Sequence, residues 1–306
     1  MIVVAGEALV DLIVHADGRL AAIPGGGPFN TARTIGRLGV DVAFLGRLST
    51  DRFGGILSTA LANDGVELRW AGLTEAPTTL AVAELDSTGA ASYRFYLVET
   101  SAPGLTLDDV LAALRSGPSA FHVGTLGLVV DPIASALAAA VARIDHGTLV
   151  MVDPNCRPGA IPDRDAYLGR LRGILARADV VKVSADDLAY IAPEVSALEA
   201  ARELIGEGAG VVLVTDGSRP VSVLAREFAF EVPVPQTEIV DTVGSGDAFG
   251  GAFLARWIER GWGRTALGDV AALREAVTLA IEVAVVTCRR IGADPPRREE
   301  LNWPPA

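Results

Sequence analysis

The run Asp241-Thr242-Val243-Gly244-Ser245-Gly246-Asp247-Ala248-Phe249 lies between a β-branched apolar approach, Ile239-Val240, and a helical pattern from Ala248 to Arg256. The approach predicts the end of a strand, so Gly244-Ser245-Gly246 is predicted to turn the chain into a helix N-terminus. There the first N–H groups lack intrahelical partners and the helix dipole is positive, which makes the turn a site for an anion. Two glycines let the backbone approach that anion closely. Asp247 falls in the first helical turn, with its carboxylate beside the amide cradle. A phosphate held by amides, next to a carboxylate that takes a proton from a hydroxyl, is the minimum equipment for phosphoryl transfer. The same residues also read as a plain helix start with an acid in its first turn. Two other glycine motifs fit poorly. The dinucleotide fingerprint needs Gly where Phe249 stands, and the Lys-Ser/Thr pair of a P-loop is absent.

Near the other end, Pro24-Gly25-Gly26-Gly27-Pro28-Phe29-Asn30 is a second glycine-rich turn, predicted to feed a helix from Thr31 to Leu38 closed by Gly39. Its three glycines bring amides against a ligand with no side chain in the way. Asn30 offers a donor and an acceptor, which suits a sugar hydroxyl and equally suits an N-cap. Upstream, Ile2 to Ala5 predicts a buried strand that continues past Gly6 to Val14. Asp11 is a charge in the apolar run Leu9–Val14. Unpaired buried carboxylates are costly, so it must face solvent, a partner or a ligand.

Between and beyond the two turns, strands and helices alternate. Val42 to Leu45 predicts a strand, Asp51 to Asn63 a helix, and Val66 opens the next strand. Thr78–Leu85, the turn Asp86-Ser87-Thr88-Gly89 and Ala91–Val98 predict a β-hairpin that interrupts the pattern. Such a hairpin, carrying Tyr93, Arg94 and Tyr96, can serve as a lid that excludes water or simply pack. From Leu107 the alternation runs regularly to an edge hairpin at 221–232, and a long helix over about 269–289 closes the pattern. The fold expected is therefore α/β: a doubly wound, mostly parallel central sheet with helices on both faces, plus a small β lid. Residues 1–12, 28–73 and 101–306 are assigned to the core, and 13–27 and 74–100 to the lid. Three polar clusters fall at predicted strand ends: Asp153-Pro154-Asn155-Cys156-Arg157, Ser184-Ala185-Asp186-Asp187 and Thr215-Asp216-Gly217-Ser218. Ligands bind at that edge in such sheets.

A chain of 306 residues, 50% of them hydrophobic, is long enough for one large α/β domain or a core with a small appendage. No apolar run is long enough to cross a bilayer, and Met1 leads directly into a strand pattern, so cytoplasmic residence is expected. Cys156 and Cys288, like His15, His122 and His146, are scattered without metal-ligand spacing. A net charge of −12 argues against nucleic acid as a partner but leaves room for an anionic substrate in a local amide cradle.

The pairing of Pro-Gly-Gly-Gly-Pro-Phe-Asn-Thr-Ala with Asp-Thr-Val-Gly-Ser-Gly-Asp-Ala-Phe resembles the ribokinase, or pfkB-type, carbohydrate kinase family. The resemblance runs from Gly6 through the Gly-Ala-Asp-Pro-Pro at 292–296. Asp153-Pro-Asn-x-Arg157, Lys182-Val-Ser184 and the tail at 288–296 look most like bacterial fructokinases. It implies that Asp247 accepts the proton of the attacking sugar hydroxyl, while the amides of Gly244, Ser245 and Gly246 hold the transferring phosphate. It places Asp11, Gly26, Gly27 and Asn30 on sugar hydroxyls. Ser184, Thr215 and Gly217 fall on the nucleotide side, with the segment around Cys288 and Gly292 near the adenine. ATP with Mg²⁺ is implied, the metal reached through water from Asp187. K⁺ is a further implied ion, held by the backbone of Asp241 and Val243.

Two departures bear on substrate and metal. Ser184-Ala185-Asp186-Asp187 stands where many relatives have Asn-x-x-Glu, and Gly27 stands where ribokinases often carry Lys. The partners expected are a small-molecule sugar and ATP, with no nucleic acid, no membrane, and homodimerisation left open. Fructose is the first candidate. 2-Keto-3-deoxygluconate, tagatose, ribose or nucleoside kinases of the same family, a non-catalytic sugar- or nucleotide-binding regulator, and a nicotinamide-dependent dehydrogenase are the rivals.

Overall fold

The computed structural model describes residues 1–86 and 91–305. Runs of Val and Ile, stiff at χ1, form the strands, and stretches opened by Ser, Thr or Asp form most of the helices. The first part of the chain gives β1 (Ile2–Ala5), β2 (Leu9–Val14), β3 (Leu20–Gly25), α1 (Gly27–Arg37), β4 (Val42–Ser49) and α2 (Arg52–Asn63). Then come β5 (Ala71–Thr74), β6 (Leu80–Leu85), β7 (Ala91–Tyr96), α3 (Leu107–Leu114), β8 (Ala120–Gly124), α4 (Ile133–Val141) and β9 (Leu149–Asp153). They are followed by α5 (Arg164–Leu175), β10 (Val180–Ser184), α6 (Ala185–Ile191), α7 (Ala197–Glu207) and β11 (Val211–Thr215). The chain ends with β12 (Val221–Ala225), β13 (Ala229–Val232), α8 (Ser245–Glu259) and α9 (Val270–Cys288).

Nine strands form one sheet in the order β13-β12-β11-β10-β9-β8-β1-β4-β5. Its pairs are parallel except β11–β12 and β12–β13, the antiparallel hairpin at the edge. β4 and β8 flank β1, so the winding reverses there, and in such sheets the crevice for a ligand opens at the carboxyl ends beside the reversal. Alternation along β1 divides the core. Ile2 and Val4 pack in one layer with Phe29, Phe253 and Leu273, whereas Val3 and Ala5 pack in the other with Val110, Leu137 and Leu171. Helices thus cover both faces, as the strand–helix alternation predicts.

A second sheet of four strands, β3-β2-β6-β7, stands apart. β2 pairs parallel with β6, and the outer pairs β2–β3 and β6–β7 are antiparallel. This lid is therefore two hairpins joined side by side, not the single hairpin expected. Gly6, at φ 153°, breaks the run that was expected to continue from β1, so residues 9–12 pair in the small sheet and not in the core. Leu9, Ala81 and Phe95 pack on Leu126 and Ala160, fastening this sheet to loops that follow β8 and β9. The expected turn residues Ser87, Thr88 and Gly89 lie outside the described residues.

Three further expectations are corrected. Ile239 and Val240 do not form a strand. They are 57% and 55% exposed, and the N–H groups of Val240 and Asp241 donate to the Cys288 carbonyl at the end of α9. α1 starts at Gly27, not Thr31, because Pro28 has the fixed φ that suits a first helical turn. After α2 the chain makes one bridge, Glu67 to Ala43, before the strand itself begins at Ala71. Among the described residues, no helix is long and apolar enough to cross a membrane.

Candidate active site

α1 and α8 bring the two glycine turns together. Gly244 precedes α8 in the left-handed conformation (φ 75°), and no side chain caps this helix start. The Ser245 N–H donates to the Thr242 carbonyl at 3.2 Å, and the helix start as a whole lies at the positive end of the dipole without a side-chain cap. A Cβ on Gly244 would stand 2.9 Å from the Ala293 Cα, so the turn is seated directly on the 292–294 segment. Asp241 reinforces the seat: its carboxylate accepts from the Val243 N–H at 3.0 Å and the Gly292 N–H at 2.8 Å. The same segment is tied to α1, since Arg33 donates to the Ala293 carbonyl (3.1 Å) and Arg37 pairs with Asp294 (2.6 Å).

Asp247, in the first turn of α8, is buried and points toward α1, where Asn30 Nδ2 donates to its Oδ2 at 2.9 Å. Burial pushes its carboxyl above the ordinary range. The Asn30 hydrogen bond and the charges of Lys182 and Arg157 pull it back. Asn30 Oδ1 is buried with no protein partner, an acceptor suited to an incoming hydroxyl. A Cβ on Gly27 would run into the Thr125 hydroxyl and lie 3.3 Å from Asp247 Oδ1. Asp11 projects from the small sheet over Gly25. Burial and the neighbouring charge of Asp247 raise its carboxyl to about 6, against the lowering effect of Arg157. Asp11, Gly27, Asn30 and Asp247 are thus neighbours although more than 200 residues separate the first from the last. Gly26 caps α1 with φ 109°, a conformation that favours glycine.

The expected nucleotide-side residues form two separate attachments. Ser184 and Thr215 are register partners at the carboxyl ends of β10 and β11, followed by Gly217 in a left-handed turn. Cys288 and Gly292 instead hold the 240–243 segment through their own backbone groups. Asp187 is engaged structurally. Its Oδ1 accepts from the Cys156 N–H (2.6 Å), and its Oδ2 accepts from the Ser184 N–H and hydroxyl (2.8 and 2.7 Å). The carboxylate therefore caps α6 and pins the loop after β9.

Several charged residues here were given no role from the sequence. Lys182 is buried and pairs with Asp153 at 2.9 Å. A Cβ on Gly246 would stand 2.8 Å from its Nζ. Burial lowers the Lys182 pKa, but Asp153, Asp187 and Asp247 outweigh it and leave the ammonium above its ordinary range. Burial raises Asp153 to about 6 despite Lys182, and its Oδ1 has no protein partner. Glu7 accepts from the N–H groups of Gly27 (3.1 Å) and Gly127 (3.0 Å), and burial raises its carboxyl to about 8. His122 is buried with both ring nitrogens unpartnered, and burial together with Lys182 holds it neutral, near 3. One signal was available: Lys182 is the only lysine in the sequence, beside 25 arginines.

Whole-chain comparisons give the family. The description "pfkB family carbohydrate kinase" matches residues 1–300. The chain belongs to the pfkB family of carbohydrate kinases. A curated fructokinase of Rhizobium leguminosarum bv. trifolii is 32% identical over 259 residues, covering 83% of this chain and 79% of that protein. The crystal structure of a Xylella fastidiosa fructokinase with bound ATP superposes with a TM-score of 0.88 at 29% identity, over 95% of this chain and 93% of that one. A Vibrio cholerae O395 fructokinase, in its fructose-, ADP- and calcium-bound form, gives 0.81 at 27% identity, over 95% and 94% of the two chains. This pfkB-family chain is accordingly a fructokinase-like sugar kinase, and its doubly wound sheet with a separate small sheet is the ribokinase-like fold.

Proposed function

We propose that this chain transfers the γ-phosphoryl group of ATP to the 6-hydroxyl of fructose. The observation that carries the reading is the Asn30–Asp247 hydrogen bond, which places a buried carboxylate between the two glycine turns. Asp247 accepts the hydroxyl proton as that oxygen attacks the γ-phosphorus and ADP departs. The amides of Gly244, Ser245 and Gly246 stabilise the equatorial oxygens. Asp11, Asn30 and the amides of Gly26 and Gly27 orient the sugar. Ser184, Thr215, Gly217, Cys288 and Gly292 border the nucleotide. Closure of the small sheet over the crevice keeps water from the reacting phosphate.

Magnesium, when bound, neutralises phosphate charge. The donor set fits a metal held mainly by phosphate and water: Asp187 retains a lone pair on Oδ1, and Asp153 Oδ1 is a buried acceptor without a partner. K⁺ at the carbonyls of Asp241 and Val243 belongs to the same reading. So does cytoplasmic residence, for which two free cysteines are ordinary. A homodimer would cover the outward face of the small sheet, where Leu20 and Tyr96 are exposed.

An ADP-release assay across ketohexoses, 2-keto-3-deoxygluconate, ribose and nucleosides tests the substrate. Turnover should be highest with fructose, and absence of turnover with every ketohexose removes it. Asp247→Asn preserves shape but not the proton acceptor, and should lower kcat by roughly 10²–10⁴-fold. Retention of most of the turnover would rule out the base.

A further inference from the structure

Apart from Lys182, every basic side chain in this protein is arginine or histidine, and arginine serves even at the buried position 256. The single lysine stands at the centre of the fold. Lys182 and Val180 alternate onto the face of β10 that α8 covers, which sends the side chain beneath the glycine turn. Its head lies 2.8 Å from where a Cβ on Gly246 would be, so the turn backbone rests on the ammonium itself. A guanidinium is a broad planar fork, whereas an ammonium is a compact point charge with three donors that rotate. Only the smaller head suits the space between Gly246 and Asp153.

The charge balance points the same way. Asp247 faces Asn30 from α1, Asp11 from β2, Glu7 after β1, Asp153 from β9, Arg157 from the loop after it, and Lys182 from β10. Three of those six groups are acids, two are cations, and Asn30 is a neutral amide. Arg157 is exposed, so solvent and salt screen it, whereas Lys182 is 4% exposed and acts through a low local dielectric. An arriving triphosphate adds further negative charge.

We propose that Lys182 is a positioning residue of the transfer reaction: its buried ammonium supports the Gly244–Gly246 turn from beneath and keeps Asp247 ionised. The proposal rests on the phosphotransfer reading above. Lys182 keeps its proton throughout; the proton that moves goes from the sugar hydroxyl to Asp247.

Two measurements test it. In Lys182→Met, similar in length but uncharged, the acid limb of kcat against pH should move up by about one unit or more, since a nearby opposite charge holds a carboxylate down by that amount. Turnover should then fall roughly 10-fold on the acid side and recover at alkaline pH, with the sugar KM little changed. A limb that stays in place while kcat falls equally at every pH overturns the proposal. The second measurement leaves the lysine in place. Chain grown with ¹³C,¹⁵N-lysine gives a single Nζ resonance, which Asp247→Asn should displace; an unmoved resonance overturns the proposal even where Lys182→Met does not fold. This spectrum needs no substrate. A displaced resonance in a chain that phosphorylates no sugar would refute the kinase reading and leave the Lys182–Asp247 coupling standing.

Discussion

The two glycine turns open helices whose starts face each other, yet what lies behind them differs. Behind the turn at 25–27 is an acid: Glu7 accepts the Gly27 N–H, so that amide is already engaged and faces inward. Behind the turn at 244–246 is an amine, and no side chain caps the helix start there. A helix N-terminus with no side-chain cap and a cation beneath it attracts an anion. One whose first amide is held by a buried carboxyl does not. On the proposed reading the 244–246 turn cradles the phosphate and the 25–27 turn neutral hydroxyls, and residues 7 and 182, not the glycines, distinguish the two.

Substitutions at each turn sharpen this contrast. Gly246→Ala sets a Cβ against the Lys182 ammonium and disturbs the amides that meet the phosphate. A loss of kcat on the order of 10²-fold is expected, as for removal of one oxyanion donor, with sugar KM nearly constant in steady-state kinetics. A rise in sugar KM with kcat intact would reverse the assignment of the two turns. Gly27→Ala meets the Thr125 hydroxyl on the sugar side. It should raise sugar KM by roughly 10-fold and leave ATP KM unchanged, the mark of lost ground-state binding.

The smallest effect is expected at Glu7. Its folded carboxyl stands at about 8 against an ordinary 4.5, so folding favours the protonated form. That contribution is complete below 4.5 and is lost as pH rises through 8. Melting curves should therefore show wild-type Tm falling more steeply than Glu7→Gln over that window, by several degrees. Parallel profiles would mean that Glu7 is ionised throughout.

Much of this arrangement was legible in the sequence because it is local. Strand–helix alternation fixes a parallel sheet, and the Gly-Ser-Gly-Asp run announces its own helix start. What stayed hidden depends on contacts across the chain. Ile239-Val240 has strand chemistry, but no neighbouring strand receives it and the end of α9 does. Asp187 reads from the sequence as a metal-side acid alone, and its second task, holding three donors of which one is 31 residues away, shows only in the fold. Glu7 follows a glycine in an apolar run, and nothing in that run says that residues 27 and 127 will meet it. Lys182 was visible as a solitary residue type, but its meaning needed the fold.

The seat beneath Gly244 has a consequence for how the molecule is made. Residues 292–294 support that turn and are gripped by Arg33 and Arg37 near the opposite end of the chain. During translation the sheet can be complete while this last segment is still inside the ribosome. A chain ending before residue 292 would have its strands but would lack the seat of the Gly244 turn, together with the Arg297–Asp64 and Arg298–Glu259 pairs.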